Sequence, residues 1–485
     1  MVTTIRFQYD ELMTQVSLEI REKITIPLER LRESLSEIQF EGFLSSIEES
    51  LTISNPAYQK AMRFARGRRF SKIPREIKYF KIRNPKTTPS LEIPVGFLEP
   101  LVTTLRESGL VIQVDNLLIE NPYGFSSKLS LYPYQKVAVE ACLQRHRGVL
   151  VAPCGSGKTV MGVELIHRRA QVTLIIVHTL DLLHQWKDQI ANFLGLEAGV
   201  VGDGQENLQS EIIIATVQTL IRRPSLMMRL NEKIGTILVD ECHHVPASTF
   251  QKVIASFRPT YMYGLSATPN REDGLTKAMH LFLGPLLHSV THGDLQRENR
   301  ILKPRLKVVE TDFFFPFDHE EPESFSKMME KLVSDSARNQ LICSWLTRFK
   351  ANKNLILSQR ISHCQVLIQM VQEALPYAQC EILTGSTDKK TRQAIIEKAR
   401  AGQVTYLFAT QLADEGLDIR CLENLWLVTP ARNIGRIEQR VGRIMREFES
   451  KEQAYVFDFV DLQTKVLFAQ YRTRLNKVYK RLLSI

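Results

Sequence analysis

The chain has 485 residues, too many for one ordinary core, and its 44% apolar and 24% charged residues exclude wholesale disorder. A balance of 63 basic against 53 acidic residues gives a net charge of +10 and favours a polyanionic partner. No apolar run is long enough for a membrane span, and the start MVTTIRFQYD lacks the layout of a secretory signal. The seven cysteines (Cys142, Cys154, Cys242, Cys343, Cys364, Cys380, Cys421) are scattered and never spaced C-x-x-C, so a reducing cytoplasmic setting is expected, with neither disulfides nor zinc.

Residues 1–121 are expected to form an accessory domain, helical early and with some strand from Ile77 onward. Met1 to Gln59 carries ten acidic and five basic residues, whereas Lys60 to Lys86 carries eleven basic and one acidic. Phe64, Phe70, Tyr79 and Phe80 are interleaved in the basic stretch. Cations neutralise phosphates and aromatics stack on unpaired bases, so Arg66, Arg68 and Arg69 are candidate nucleic-acid contacts. The competing reading is a solvated basic loop whose aromatics belong to the core.

After Leu131 the texture changes. Short apolar runs (GVLVAP, VTLIIVH, EIIIAT, TILVDE, YMYGLSAT) alternate with amphipathic stretches, and the pattern resumes later with NLILSQ, CEILTG, TYLFAT, NLWLVTP and AYVFDFV. Strand and helix in alternation predict parallel sheets covered on both faces. The fold class is therefore α/β: two tandem parallel-sheet lobes, residues 122–304 and 305–485, behind an N-terminal mixed α+β domain.

Ala152-Pro153-Cys154-Gly155-Ser156-Gly157-Lys158-Thr159 follows a predicted strand and opens a predicted helix, the setting of a phosphate-binding loop. Gly155, Ser156 and Gly157 let backbone N–H groups turn toward phosphates, and the helix N-terminus favours the anion. Lys158 would reach the β/γ-phosphates of ATP, and the Thr159 hydroxyl would ligate Mg²⁺. Ala152 stands where the pattern usually has its first glycine. Downstream, Thr236 to Val239 is an apolar strand ending in Asp240 and Glu241. Alone, such a pair is more often a helix cap. Behind a phosphate loop, Asp240 reads as a Mg²⁺ holder and Glu241 as the group that orients or deprotonates water. His243 and His244 are adjacent and make a poor metal pair, so no further metal site is expected.

From here the residues resemble a family. Asp240-Glu241-Cys242-His243 resembles the DExH box of superfamily 2 helicases, and the other motifs stand in that family's order. Leu131 to Gln135 is similar to the adenine-reading Q motif, with Gln135 as reader and Tyr132 where arginine is frequent. Thr179-Leu180 with Gln185-Trp186 is similar to motif Ia, Ala215 to Leu220 to the next strand-contacting motif, and Ser266-Ala267-Thr268-Pro269 to motif III. In the second lobe Leu355 to Ser358 resembles motif IV and Leu383-Thr384-Gly385 the loop after it. Ala409-Thr410 with Glu415-Gly416-Leu417-Asp418 resembles motif V. Gln439 to Arg446 is similar to motif VI, where arginines three apart share one helix face and suit phosphoryl charge. Arg271-Glu272-Asp273 followed by LFLGP resembles a segment of the XPB-like group of DNA helicases and translocases.

The resemblance covers about Leu131 to Val460. It implies RecA-like lobes with ATP in the cleft between them, Lys158, Glu241, Arg443 and Arg446 as catalytic groups, and Gly416, Asp418 and Gln439 as further nucleotide contacts. It also implies nucleic-acid contacts at Thr179, Gln218, Arg271 and Thr410. The expected protein is an ATP hydrolase and DNA helicase or translocase acting on duplex or branched DNA, in repair, recombination or defence. The alternatives are an RNA helicase, an ATP-switched clamp, and the motor subunit of a restriction-type complex whose cutting would come from a nuclease partner. Two segments stay open: Phe313 to Phe317 reads as a fork wedge or as packing, and VLFAQYRTRLNKVYKRLL as a basic helix against the second lobe or a partner-binding helix.

Overall fold

The computed structural model describes residues 15–483, apart from 22, 65–72, 85–86, 154, 244–246, 269–274, 299–301, 319, 322, 411–418, 432–433, 446–447 and 449–450. Its contacts divide the chain into two compact units: Met1–Ala152 with Gly157–Val290, and Pro153–Ser156 with Thr291–Ile485.

The first unit holds two large sheets. The N-terminal one runs in the order Lys81–Arg83, Ser90–Pro94, Lys23–Pro27, Gln15–Ile20, Val111–Asn116. Its pairings are antiparallel except the last, where Gln15–Ile20 and Val111–Asn116 run parallel. Strands therefore precede the helices here, contrary to the sequence-based expectation. The cause is visible afterwards: Val16, Leu18 and Ile20, then Ile24 and Ile26, alternate at period two and are buried. Helices Glu37–Leu51 and Leu98–Glu107 add Phe40, Phe43, Ile47, Leu51, Leu101 and Leu105 to that core. Ser36 starts the first of them by a reciprocal cap with Gln39.

The larger sheet has eight strands in the order Gln205–Glu206, Gly199–Gly202, Ile212–Thr216, Thr173–Val177, Thr236–Val239, Tyr261–Ser266, Arg147–Val151, Leu286–Ser289. All pair in parallel except Gln205–Glu206 at one edge. Alternate residues feed two cores. Leu150, Ile175 and Leu238 face the helices Pro133–Leu143, Lys158–Arg169 and Leu180–Leu194. Val149, Ile176, Ile237 and Val239 face the other way, into a core continuous with that of the N-terminal sheet. At this junction helix Thr276–Leu283 lies against the 3₁₀ turn Val95–Phe97. A Cβ on Gly96 would stand 2.5 Å from the Leu281 carbonyl oxygen and 2.7 Å from that of His280. Tyr79 meets Phe282 edge-on, with ring centroids 5.8 Å apart.

The second unit is built on six parallel strands, in the order Arg305–Thr311, Tyr455–Asp461, Asn424–Leu427, Asn354–Ser358, Tyr406–Thr410, Cys380–Leu383. Trp426 and Phe457 stack at 3.7 Å in its core. Two buried ion pairs fasten outer helices to it. Arg338 donates to Asp461 at 2.8 Å and to the Val428 carbonyl at 2.7 Å. Arg474 grips both oxygens of Asp458 at 2.8 Å, and the Tyr479 hydroxyl donates to the same carboxylate at 2.7 Å. Removing one partner of such a pair costs roughly 3–5 kcal/mol. The basic C-terminal helix is thus packed on this unit. Phe313 is buried with Met328, Met329, Leu332 and Leu467 while Phe314 is exposed, so the phenylalanine run is mainly packing rather than a wedge.

Among the described residues no helix is long and apolar enough to cross a membrane, and six cysteines are free. His363 is buried between Ser358 Oγ at 3.0 Å and Asn339 Oδ1 at 2.9 Å. Burial, then Arg338, pushes it down to about 3; burial, then Arg481, pushes His292 down to about 4. Both stay neutral when folded but accept protons once unfolded, so their contribution is full above about pH 6.5 and falls as pH drops through it. Thermal melts should show the second unit losing stability between pH 7 and pH 5. A midpoint unchanged over that range would count against it.

Candidate active site

Parallel pairing brings the motif loops to one edge. Val151 is opposite Ser266, Val239 is opposite Gly264 and Ile176, and Val177 is opposite Thr216. The residues that follow these strands therefore stand side by side at their carboxyl ends, the usual place for chemistry in open α/β sheets.

Gly155 and Gly157 adopt φ of 87° and 77°, the left-handed region that glycine tolerates, and Lys158 opens the helix Lys158–Arg169. The loop rests on Gln135: a Cβ on Gly157 would lie 2.5 Å from Gln135 Nε2. Gln135 is buried, and its Oε1 accepts the Tyr132 N–H at 3.0 Å, capping the helix Pro133–Leu143. Ser156 is buried, whereas Lys158 and Thr159 are half-buried in the first helical turn.

Lys158 Nζ lies 3.4 Å from Glu241 Oε1. The other oxygen of Glu241 accepts the Ala267 N–H at 3.3 Å and lies 3.4 Å from His243 Nδ1, which is 2.9 Å from Ser266 Oγ. The DExH carboxylate is thus wired to the Ser266-Ala267-Thr268 segment through both a backbone and a side-chain link. Asp240 is buried and accepts the indole N–H of Trp186 at 2.8 Å. Burial, then the charge of Glu241, holds the Asp240 carboxyl above its ordinary range, against the pull of Lys158. Glu241 itself has φ of 45°, a left-handed backbone rarely adopted by residues other than glycine.

Sequence reasoning missed Trp186 as a partner of Asp240. Gln185-Trp186 is similar to a strand-contacting motif, and nothing local reveals that the indole reaches a carboxylate 54 residues away.

Thr179 caps helix Leu180–Leu194, accepting the Leu182 N–H at 3.3 Å, and Gln218 Nε2 donates to the His178 carbonyl at 3.1 Å. These two nucleic-acid candidates therefore share one edge of the first unit. In the second unit Thr410 is buried at a strand end opposite Ser358, while Gln439 and Arg443 are half-buried on helix Ile434–Ile444. Arg66, Arg68, Arg69, Arg271, Gly416, Asp418 and Arg446 lie outside the described residues. Of the basic stretch, Tyr79 is buried and Phe80 packs on the core, so Tyr79 is not free to stack on a base. Arg83 pairs with Glu92 at 3.1 Å, and Lys78 pairs with Glu48.

Comparison with known proteins matches residues 128–271 to the family "Type III restriction enzyme, res subunit" and residues 337–447 to "Helicase conserved C-terminal domain". The chain is 25% identical over 375 residues to the DNA 3'-5' translocase XPB2 of Sulfurisphaera tokodaii, covering 69% of this chain and 83% of that protein. The chain is a superfamily 2 helicase. Within that family this helicase stands close to the XPB group. It is also 27% identical over 427 residues to L396 of Acanthamoeba polyphaga mimivirus, whose name proposes an ATP-dependent RNA helicase, covering 78% of each chain. The solved ATP-dependent Type ISP restriction-modification enzyme LlaBIII shares the helicase's fold with a TM-score of 0.54 and 15% identity, over 76% of this chain and 30% of that one.

Proposed function

We propose that this helicase is an ATP-driven motor that moves along or remodels duplex or branched DNA. The observation that carries the motor is the Lys158–Glu241 pair, set on the phosphate loop and tied through Ala267 and His243 to the segment after the neighbouring strand. A shift of that segment would move the carboxylate, so hydrolysis and movement have a shared part. Net charge and the likeness to a DNA translocase favour DNA; the likeness to L396 keeps RNA as the second reading.

In this reading Lys158 and the loop N–H groups hold the β/γ-phosphates, and Glu241 orients and deprotonates the attacking water. Gln135 helps to seat the nucleotide beside the loop. Arg443 meets charge developing on the phosphoryl group. Thr179, Gln218 and Thr410 take nucleic-acid backbone, with Arg66, Arg68, Arg69 and Arg271 as further contacts. Thr159 and Asp240 offer the hard oxygen donors that Mg²⁺ prefers, and a bound Mg²⁺ would neutralise phosphate charge there. The free, mostly buried cysteines suit a reducing cytoplasmic setting.

Trp186 fixes the orientation of Asp240. Trp186→Phe keeps an aromatic ring but loses the N–H and part of the buried bicycle, and should raise the Mg²⁺ concentration needed for half-maximal hydrolysis by about tenfold or more. An unchanged Mg²⁺ dependence would remove Trp186 from this role.

The reading as a whole is tested by ATPase rates without nucleic acid and with single-stranded, duplex, forked and four-way DNA, and RNA. Stimulation by duplex or branched DNA is expected. Stimulation by RNA alone would overturn the substrate, and no stimulation by any would point to a motor awaiting a protein partner.

A further inference from the structure

A cavity of about 410 Å³ opens in the first unit where the N-terminal sheet meets the eight-stranded sheet. Ile20, Val95, Leu98 and Val114 wall it on one side and Arg147 and Pro285 on the other. Arg147 begins the strand whose far end leads into the phosphate loop, so the cavity stands at the amino ends of these strands, about 13 Å of strand away from the nucleotide loops.

Its charge is one-sided. Glu99, the only carboxylate among the described lining residues, is engaged by Arg145. Arg147 donates to the Pro259 carbonyl and reaches Met262 Sδ at 3.8 Å, without any described carboxylate in ion-pair range. Arg169, just behind, is likewise held by neutral oxygens: the Arg145 carbonyl at 2.7 Å, the Leu143 carbonyl at 2.9 Å and the Tyr263 hydroxyl at 2.7 Å. Burial pushes Arg147 down to about 10, which leaves it charged at neutral pH. Burial, then Arg169 and Arg147, pushes His146 down, so it adds no balancing or competing charge there. Arg147 is half-buried and has no described counter-ion, so it is partly stripped of water, and its planar fork suits two oxygens of one oxyanion.

We propose that this cavity binds a small organic anion, with a phosphate or carboxylate head on Arg147 and an apolar body between Val95, Leu98 and Val114. The volume falls in the range of small-ligand pockets, and the walls are mainly apolar with few polar groups, as such pockets are. An occupant would touch both sheets at once. It would therefore stiffen the junction between the accessory domain and the motor by mass action.

The test is calorimetric titration of the full chain with octyl phosphate, octanoate and octan-1-ol, with Mg-ADP saturating so that the phosphate loop is filled. At least one anion should bind about tenfold tighter than the alcohol, the margin of a charge-assisted hydrogen bond. Preference for octyl phosphate or for octanoate assigns the head group. Arg147→Met should reduce the anions to the level of the alcohol. Val114→Trp, at a part-exposed wall position, keeps Arg147 and should abolish binding of all three by filling the space. Anions binding no tighter than octan-1-ol, or anion binding that survives Val114→Trp, would overturn the site whether or not Arg147→Met folds. None of these readouts depends on hydrolysis or on nucleic acid.

Discussion

Glu241→Gln is expected to lower ATP turnover by about a thousandfold while ATP still binds, since loss of a positioned general base costs on the order of 10²–10⁴. Glutamine keeps the length and one oxygen to accept the Ala267 N–H, so the loop geometry should survive. What disappears is the negative charge that faces Lys158 at 3.4 Å and the capacity to take a proton from water. Lys158→Ala should fail differently, at the binding step, because the proposed function gives that cation to the phosphates. Single-turnover hydrolysis alongside fluorescent-nucleotide binding separates the two. Turnover close to that of the parent in both variants would sink the site assignment.

Gly96→Val is expected to unseat the accessory domain from the motor and leave the chain aggregating rather than merely slow. The contact atoms at Gly96 are backbone: the Leu281 and His280 carbonyl oxygens and the Gly284 nitrogen at 2.8 Å. Backbone in a helix end cannot swing aside, so the whole helix Thr276–Leu283 must move, and overpacking of this kind costs about 1–3 kcal/mol or more. Its apolar residues Met279, Leu281 and Phe282 belong to the core shared with the N-terminal sheet. For the same reason a chain lacking residues 1–121 should express mainly as insoluble protein. A soluble, cooperatively melting fragment would show that the shared core is dispensable.

The glycine turn before helix Lys158–Arg169 and the strand end at Asp240-Glu241 were legible in the sequence because both are local: a glycine run between strand and helix, and an apolar run ending in carboxylates. The parallel lobes were legible for the same reason, as runs such as Thr173–Val177 are apolar after the leading threonine and buried throughout. The N-terminal sheet was not. Its strands Gln15–Ile20 and Val111–Asn116 pair across about ninety residues, and each is short and interrupted by charge. The same limit hid Trp186, whose partner is set by strand order rather than by spacing. Composition also could not tell which aromatics of the basic stretch were core, and Tyr79 is.

The left-handed backbone at Glu241 has a cost of its own. Holding a non-glycine residue there takes about 1 kcal/mol from the fold. A glycine at 241 would relax that angle, and the protein would gain heat tolerance as it lost the group proposed to activate water. Any directed-evolution campaign scored on thermal survival alone would thus be drawn to this position. Durability and speed are set against each other here by a single dihedral angle.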